Sequence, residues 1–178
     1  MFMQVFLFSW QEVFPFISRS HRRKVASYNV ASLNVMSLPQ QDTAMTSDYA
    51  VIETVPSAED FCRLRRISGM SPRPLEGVIA GLPRSCYGVH ILWQGIPVGM
   101  GRIVGDGAVN FEIVDVAVDP AHQGKGLGRL IMENIVRWLD ANAFQGAYVS
   151  LVADVPELYA KFGFTSVRPA SDGMAKVW

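Results

Sequence analysis

Apolar positions follow two different spacings along this chain. In some stretches they alternate with polar positions, which is typical of β-strands, and in others they recur every three or four residues, which is typical of helices. The strand-like stretches cover residues 49–55, 87–93, 97–104, 109–118, 147–153, 164–167 and 174–178. The helix-like stretches begin after Ser57, Pro74, Gly126 and Val155. The order of elements is therefore strand, two helices, three strands, helix, strand, helix and two strands.

The connections between these elements predict how the strands pair. Residues 94–97 and 105–108 are short turns, so the second, third and fourth strands should form an antiparallel meander. A helix separates the fourth strand from the fifth, and such a crossover joins parallel strands. We therefore predict an α/β (α+β) domain whose central sheet is mixed, mostly antiparallel and flanked by helices.

The stretch 112–139 combines a strand, a turn with three glycines and an amphipathic helix. A helix that starts in such a turn leaves backbone N–H groups unpaired, and its dipole favours negative charge there, so the turn predicts a phosphate site. A nucleotide P-loop fits poorly because Lys125 is followed by Gly126 rather than Ser or Thr. A dinucleotide fingerprint also fits poorly, because its third glycine position holds Arg129. A turn that only reverses the chain is the alternative.

Gln123, Gly126 and Gly128 form the pattern Q-x-x-G-x-G after a strand that ends in VAVDP. This resembles the acyl-coenzyme A signature of the GCN5-related N-acetyltransferase (GNAT) superfamily, and the order of elements over residues 49–178 resembles that fold. The resemblance implies a sheet splayed between its fourth and fifth strands and acetyl-CoA as cosubstrate. It also implies that one strand end and the glycine-rich turn hold the coenzyme through Val116, Ala117, Val118, Gln123, Gly124, Lys125, Gly126, Leu127, Gly128 and Arg129. For the two cations in this set, a solvated role is the alternative.

Tyr159, in the segment ELYAKFGF, resembles the family tyrosine whose hydroxyl faces the coenzyme sulfur. A phenol suits the role of proton donor to the departing thiolate, because with an ordinary pKa of about 10 it is protonated at neutral pH. A tyrosine that only packs within its helix is the alternative. Many family members carry an Asn several residues earlier, so this chain departs from the family pattern near Asp154.

Glu112 and Asp115 are carboxylates on an otherwise apolar strand. An alkylamine has a pKa of about 10.4, so a base or a chain of waters must remove a proton before the amine attacks. Strand alternation predicts that the two carboxylates face opposite sides of the sheet. Glu112 occupies a place where many family members carry an acid, so we assign it as the candidate base, with ordered water as the alternative. Asp115 is expected to make a structural hydrogen bond.

Residues 69–74 separate the first two helices. In GNAT proteins this segment commonly lies over the acceptor site, which makes Met70, Arg73 and Leu75 candidate substrate contacts. An ordinary helical hairpin is the alternative. Three arginines of the first helix are expected mostly on its solvated face, namely Arg63, Arg65 and Arg66.

Composition narrows the possible partners. Sixteen basic and sixteen acidic residues cancel, so no net field attracts nucleic acid or an anionic membrane. Cys62 and Cys86 are too few for a disulfide scaffold and indicate a reducing, cytoplasmic location. The three histidines are scattered without zinc-ligand spacing, so we expect no metal.

Residues 1–48 are interpreted as an N-terminal extension to a domain that covers residues 49–178. The apolar start is interrupted by polar residues and is short for a membrane span. Its basic residues follow the apolar run, unlike those of a secretory signal. A disordered extension or an upstream start codon is favoured, with a mitochondrial transit peptide and a membrane tether as alternatives.

Together these features predict an N-acetyltransferase that moves acetyl from acetyl-CoA to the primary amine of a small molecule by direct attack in a ternary complex. A protein or peptide acceptor is the enzymatic alternative, and a CoA-binding sensor without turnover is the non-catalytic one. The oligomeric state stays open, a homodimer included.

Overall fold

The computed structural model of the protein describes residues 48–176, and a five-stranded sheet runs through them in the order β1-β2-β3-β4-β5. The strands are β1 (Tyr49–Ile52), β2 (Tyr87–Trp93), β3 (Ile96–Gly105), β4 (Asn110–Val118) and β5 (Tyr148–Leu151). The helices are α1 (Ala58–Ile67), α2 (Leu75–Gly81), α3 (Leu127–Asn142) and α4 (Pro156–Ala160). The predicted extension lies, up to residue 47, outside the described residues.

Strand pairing follows the predicted pattern. The pairs β1–β2, β2–β3 and β3–β4 are antiparallel, whereas β4 and β5 are parallel. The β2–β3 connection is tight because Gln94 and Gly95 both adopt positive φ, 50° and 80°, as a two-residue hairpin turn of type I′ requires. The mixed, mostly antiparallel sheet is thus confirmed.

The sheet opens between β4 and β5. Their pairing ends at Ile113 and Leu151, and the remaining residues of β4, up to Val118, have no partner on the β5 side of the sheet. The chain needs 16 residues of α3 to return from β4 to β5, and that helix packs over one face of the sheet. The splayed arrangement predicted from the resemblance is confirmed, and it leaves a gap in the sheet that a ligand can enter.

Helix α3 packs very closely on the sheet. Its apolar side contributes Ile131, Met132 and Ile135 to a core in which all three are fully buried. The approach is close because β3 carries glycine beneath the helix: a Cβ atom at Gly101 would lie 2.6 Å from a methyl carbon of Ile131. The opposite face of the sheet is covered by α1 and α2, where Phe61 and Leu64 pack in a second core.

The predicted final strand pair is wrong for the residues that the structure describes, since 164–176 contain no strand. Apolar residues are sparse in this segment, and Val167 and Met174 are exposed, so no strand face is buried. Pro169 also lacks the N–H that a strand ladder uses. Residues 177 and 178 lie outside the described part of the chain.

Candidate active site

A cleft of about 540 Å³ lies where β4 and β5 diverge. Its walls come from the α1–α2 connection, from β4, from the chain that follows β5 and from α4. The lining includes five residues singled out in the sequence: Met70, Arg73, Glu112, Val116 and Tyr159. Segments distant in sequence therefore meet at one opening in the sheet.

A β-bulge in β4 determines which side chains face the cleft. The β3–β4 register shifts between Met100, which pairs with Ala117, and Arg102, which pairs with Val114. Asp115 and Val116 thus stand opposite a single residue of β3, and Asp115 has a positive φ of 58°. An extra residue of this kind reverses the alternation of side chains beyond it. The prediction that Glu112 and Asp115 face opposite sides is therefore wrong, since both line the cleft.

Asp115 binds two arginines at the cleft. One carboxylate oxygen accepts a hydrogen bond from Arg65 Nη1 and the other accepts one from Arg102 Nε. The Asp115 side chain is only 8% exposed, so the expected structural role is observed as a buried ion pair with two partners. Burial lowers the pKa of Arg65, and the charge of Asp115 opposes that shift.

The expectation that Arg65 lies on a solvated face is wrong, since the residue is 3% exposed. Its Nε and Nη2 both donate to the carbonyl oxygen of Ser71, at 2.9 Å and 2.6 Å. This bidentate contact fixes the α1–α2 connection and thereby places Met70 and Arg73 along the cleft. Leu75, the third predicted contact, does not line this cleft; it begins α2 and is 47% exposed.

Tyr159 projects from the short helix α4 into the same cleft. The residue is 8% exposed, and its hydroxyl makes no hydrogen bond to another residue within 48–176. Burial raises the pKa of Tyr159, and the nearby charge of Asp154 adds to this shift. The phenol therefore keeps its proton at neutral pH and is available to a ligand. Glu112 lies on the β4 wall of the cleft.

The glycine-rich turn, residues 123–128, leads from β4 into α3. Gly124 and Gly126 have positive φ, 73° and 80°, a conformation that a side chain disfavours. Within the described chain, the first N–H of this region that reaches a helical carbonyl is that of Leu130, which donates to Gly126 at 3.0 Å. The N–H groups from residues 124 to 129 are therefore open to a ligand at the positive end of the α3 dipole.

Side chains around this turn hold it in place. Gln123 Nε2 donates to the carbonyl oxygen of Val118 at 3.1 Å, which ties the turn to the end of β4. Lys125 Nζ lies 3.2 Å from the hydroxyl of Tyr49, and that hydroxyl lies 2.8 Å from His122 Nδ1. Arg129 forms an exposed ion pair with Glu133 at 2.8 Å. The main-chain groups, rather than these two cations, are the donors left open.

Sequence reasoning did not identify Arg65, Arg102 and Asp154 as residues of the cleft. A signal existed for Arg102, which is the single charged residue of β3. The burial of Arg65 follows from its contacts with Ser71 and Asp115, so helix periodicity alone could not reveal it. Asp154 follows β5 in a segment without regular structure, and only the folded chain brings it to Tyr159.

Two searches of residues 48–176 gave no feature. No group of three or more His, Cys, Asp or Glu side chains is arranged there to hold a metal ion. None of the helices in this range combines the length and the apolar character that a membrane crossing requires.

Comparison with known proteins matches the described fold. The family model "Acetyltransferase (GNAT) domain" matches residues 86–166. A solved structure of a probable acetyltransferase from methicillin-resistant Staphylococcus aureus, a protein of unknown function, is 41% identical, with a TM-score of 0.70 over 73% of this chain and 99% of that one. This relative is matched along nearly its whole length.

Curated relatives are matched over shorter lengths. Histone acetyltransferase TAP1 of Glycine max is 35% identical over 77 residues, which are 43% of this chain and 33% of that protein. The chloroplastic serotonin N-acetyltransferase 2 of Oryza sativa is 37% identical over 81 residues, which are 46% of this chain and 40% of that protein. The chain thus spans between a third and two fifths of the length of these two relatives.

Proposed function

Because this chain belongs to the GNAT superfamily, we propose that it is an N-acetyltransferase that moves acetyl from acetyl-CoA to the primary amine of a small molecule. The observation that carries the proposal is the opening between β4 and β5. The glycine-rich turn offers main-chain donors beyond one end of this opening, and the cleft places an acid and a phenol at the other.

The donor acetyl-CoA is assigned to this opening. The pyrophosphate would accept hydrogen bonds from the N–H groups of the glycine-rich turn, since they have no partner in the described chain and converge at the start of α3. The pantetheine arm would pair with the β4 backbone at Val116, Ala117 and Val118, where β5 has moved away. These assignments match the chemistry of the residues present, because the arm is an extended amide chain and β4 provides an unpaired strand edge.

The reaction needs two proton movements. The acceptor must lose a proton to become a neutral nucleophile, and Glu112 is the carboxylate we assign to receive it, directly or through water. The amine nitrogen then attacks the thioester carbonyl, the new C–N bond forms and the C–S bond breaks. Tyr159 donates its proton to the departing thiolate and is reprotonated from solvent. The raised pKa of Tyr159 keeps that proton in place until the thiolate appears.

The acceptor is assigned as a small molecule. The cleft volume of about 540 Å³ lies within the range of sites that enclose small ligands. The α1–α2 connection forms one of its walls and is held there by Arg65. We place the reaction in a reducing compartment, because neither cysteine forms a disulfide in the structure.

The test is amine-dependent release of thiol from acetyl-CoA by the full chain, with the acetylated product identified by mass spectrometry. Small primary amines are compared with peptides that offer a lysine or a free N-terminus. We expect thiol release and acetylated product with small amines. Faster turnover of peptides would reassign the acceptor, and tight CoA binding without amine-dependent release from any compound would indicate a sensor.

A further inference from the structure

The cleft contains more positive charge than its ion pairs neutralise. Asp115 is shared by Arg65 and Arg102, so two guanidinium groups face one carboxylate. Side-chain exposure is 4% for Arg65 and 22% for Arg102, which removes both from most of the solvent. A buried charge without a partner is costly, so an unmatched cation at this place favours an anionic ligand.

Arg73 adds a third guanidinium to this group, which we name the arginine cluster: Arg65, Arg73 and Arg102. Arg73 lines the cleft and forms no ion pair with any residue from 48 to 176. Its charge acts on Arg65, since Arg73 and Arg102 both lower the pKa of Arg65 beyond the effect of burial. Within the described chain, Arg102 Nη2 also lacks a hydrogen-bond partner.

The carboxylates on the rest of the cleft are left unpaired. Glu112 and Asp154 both line it, and neither forms an ion pair among the described residues. Glu112 precedes Asp115 by three residues on β4, so their backbones are separated by at most about 10 Å along the strand. A cationic group at Glu112 and an anionic group at the arginine cluster would therefore suit one small molecule.

Resting on the proposed function, we propose that the acceptor is an amine that also carries an anionic group, a carboxylate or a phosphate. The arginine cluster binds the anion, and Glu112 receives the ammonium end and then its proton. The anion fixes the orientation of the acceptor, so that its nitrogen faces the thioester. The guanidinium forks suit this role because they bind carboxylate and phosphate oxygens in pairs.

The proposal is tested with amines that differ only in the anion. Ethylamine is paired with β-alanine, ethanolamine with O-phosphoethanolamine, and tyramine with tyrosine, and kcat/KM is measured for each with acetyl-CoA. We expect the anionic member to be preferred by about tenfold to a hundredfold in any pair that reacts, as hydrogen bonds to charged groups provide. The β-alanine and O-phosphoethanolamine arms distinguish carboxylate from phosphate.

Arg73→Met is the variant that tests the cluster, because Arg73 is exposed and its replacement leaves the Asp115 ion pairs intact. It should remove most of the preference by raising KM for the anionic amines, with the neutral amines unchanged. Arg66→Met, on an exposed position of α1, is the matched control and should alter neither. Equal kcat/KM within every reactive pair, or a preference that survives Arg73→Met, would overturn the proposal.

Calorimetry in the presence of CoA separates this proposal from the proposed function. Each amine pair is titrated into the wild-type chain and into Arg73→Met. Selective binding of the anionic amines without thiol release would contradict the acetyltransferase assignment and support the anion site. Thiol release from neutral amines without selective binding would do the opposite. Absence of both selective binding and turnover of the anionic amines overturns the anion site.

Discussion

The glycine-rich turn and the arginine cluster are both suited to anions, but one is made of backbone and the other of side chains. In the turn, consecutive N–H groups are left open because a helix begins there and Gly124 and Gly126 adopt positive φ. In the cluster, guanidinium groups from α1, β3 and the α1–α2 connection meet at Asp115 on β4. A site made by consecutive residues depends on local geometry, whereas a site made by distant side chains depends on the whole fold.

The largest expected effect is on the side-chain site. Asp115→Ala leaves Arg65 and Arg102 without their shared carboxylate, and breaking a buried ion pair by removing one partner costs about 3–5 kcal/mol. We expect this loss in the free energy of unfolding, measured by urea denaturation. Asp140→Ala, at an exposed position of α3, is the control and should stay within about 0.5 kcal/mol of wild type. A loss at Asp115 no larger than that of the control would mean that the cluster does not depend on this ion pair.

The next effect is on chemistry at the cleft. Tyr159→Phe removes the hydroxyl and leaves the ring, so packing in the core should persist while the proton donor is lost. We expect kcat to fall about 100-fold, which corresponds to about 2.7 kcal/mol in the activation free energy. CoA affinity, measured by calorimetry, should be unchanged, because the backbone site does not involve this hydroxyl. A variant with wild-type kcat would remove Tyr159 from the mechanism.

A smaller effect is expected at the backbone site. Gly126→Ala places a side chain at a φ of 80°, which costs about 1–2 kcal/mol and should weaken CoA binding about 5-fold to 30-fold. Gly146→Ala is a matched control, because Gly146 has a φ of 86° and an added Cβ atom would also meet nothing within 4 Å. Both variants should lose stability, but only the first should lose CoA affinity. Equal CoA affinity in the two variants would contradict the assignment of the turn.

The smallest effect concerns a backbone site that the chain fills by itself. In the β3–β4 connection, one carboxylate oxygen of Asp106 accepts hydrogen bonds from the N–H groups of Ala108, Val109 and Asn110 at 2.8 to 3.1 Å. These bonds lower the pKa of Asp106 to about 2, from an ordinary value of 3.8. The folded state therefore binds the proton less readily than the unfolded chain does.

The contribution of Asp106 should be complete above pH 3.8 and should be lost as the pH falls towards 2. Denaturation of the wild-type chain and of Asp106→Asn across this range measures it. The two proteins should approach each other in stability as the pH falls, because the wild-type side chain becomes neutral. A constant difference between them would show that the charge of Asp106 contributes nothing.

The sequence by itself determined the local features of this protein. The spacing of apolar residues predicted the five strands of the sheet and the order of the helices, and the residues from Gln123 to Gly128 predicted an anion site, because each of these depends on neighbours within a few positions. Tyr159 was identified by the segment around it, and the structure places it at the cleft, where its catalytic role stays a prediction.

Only the tertiary structure decided which charged side chains meet. The bulge at Asp115 turns that residue to the same side as Glu112, and it arises from the β3–β4 register rather than from any pattern in β4 alone. Arg65 was predicted to be solvated because its helix shows only the neighbours within one turn, whereas its partners are the carbonyl of Ser71 and a carboxylate 50 residues away. Strand alternation and helix periodicity describe single elements, and the energy of a buried charge is set by what the other elements bring to it.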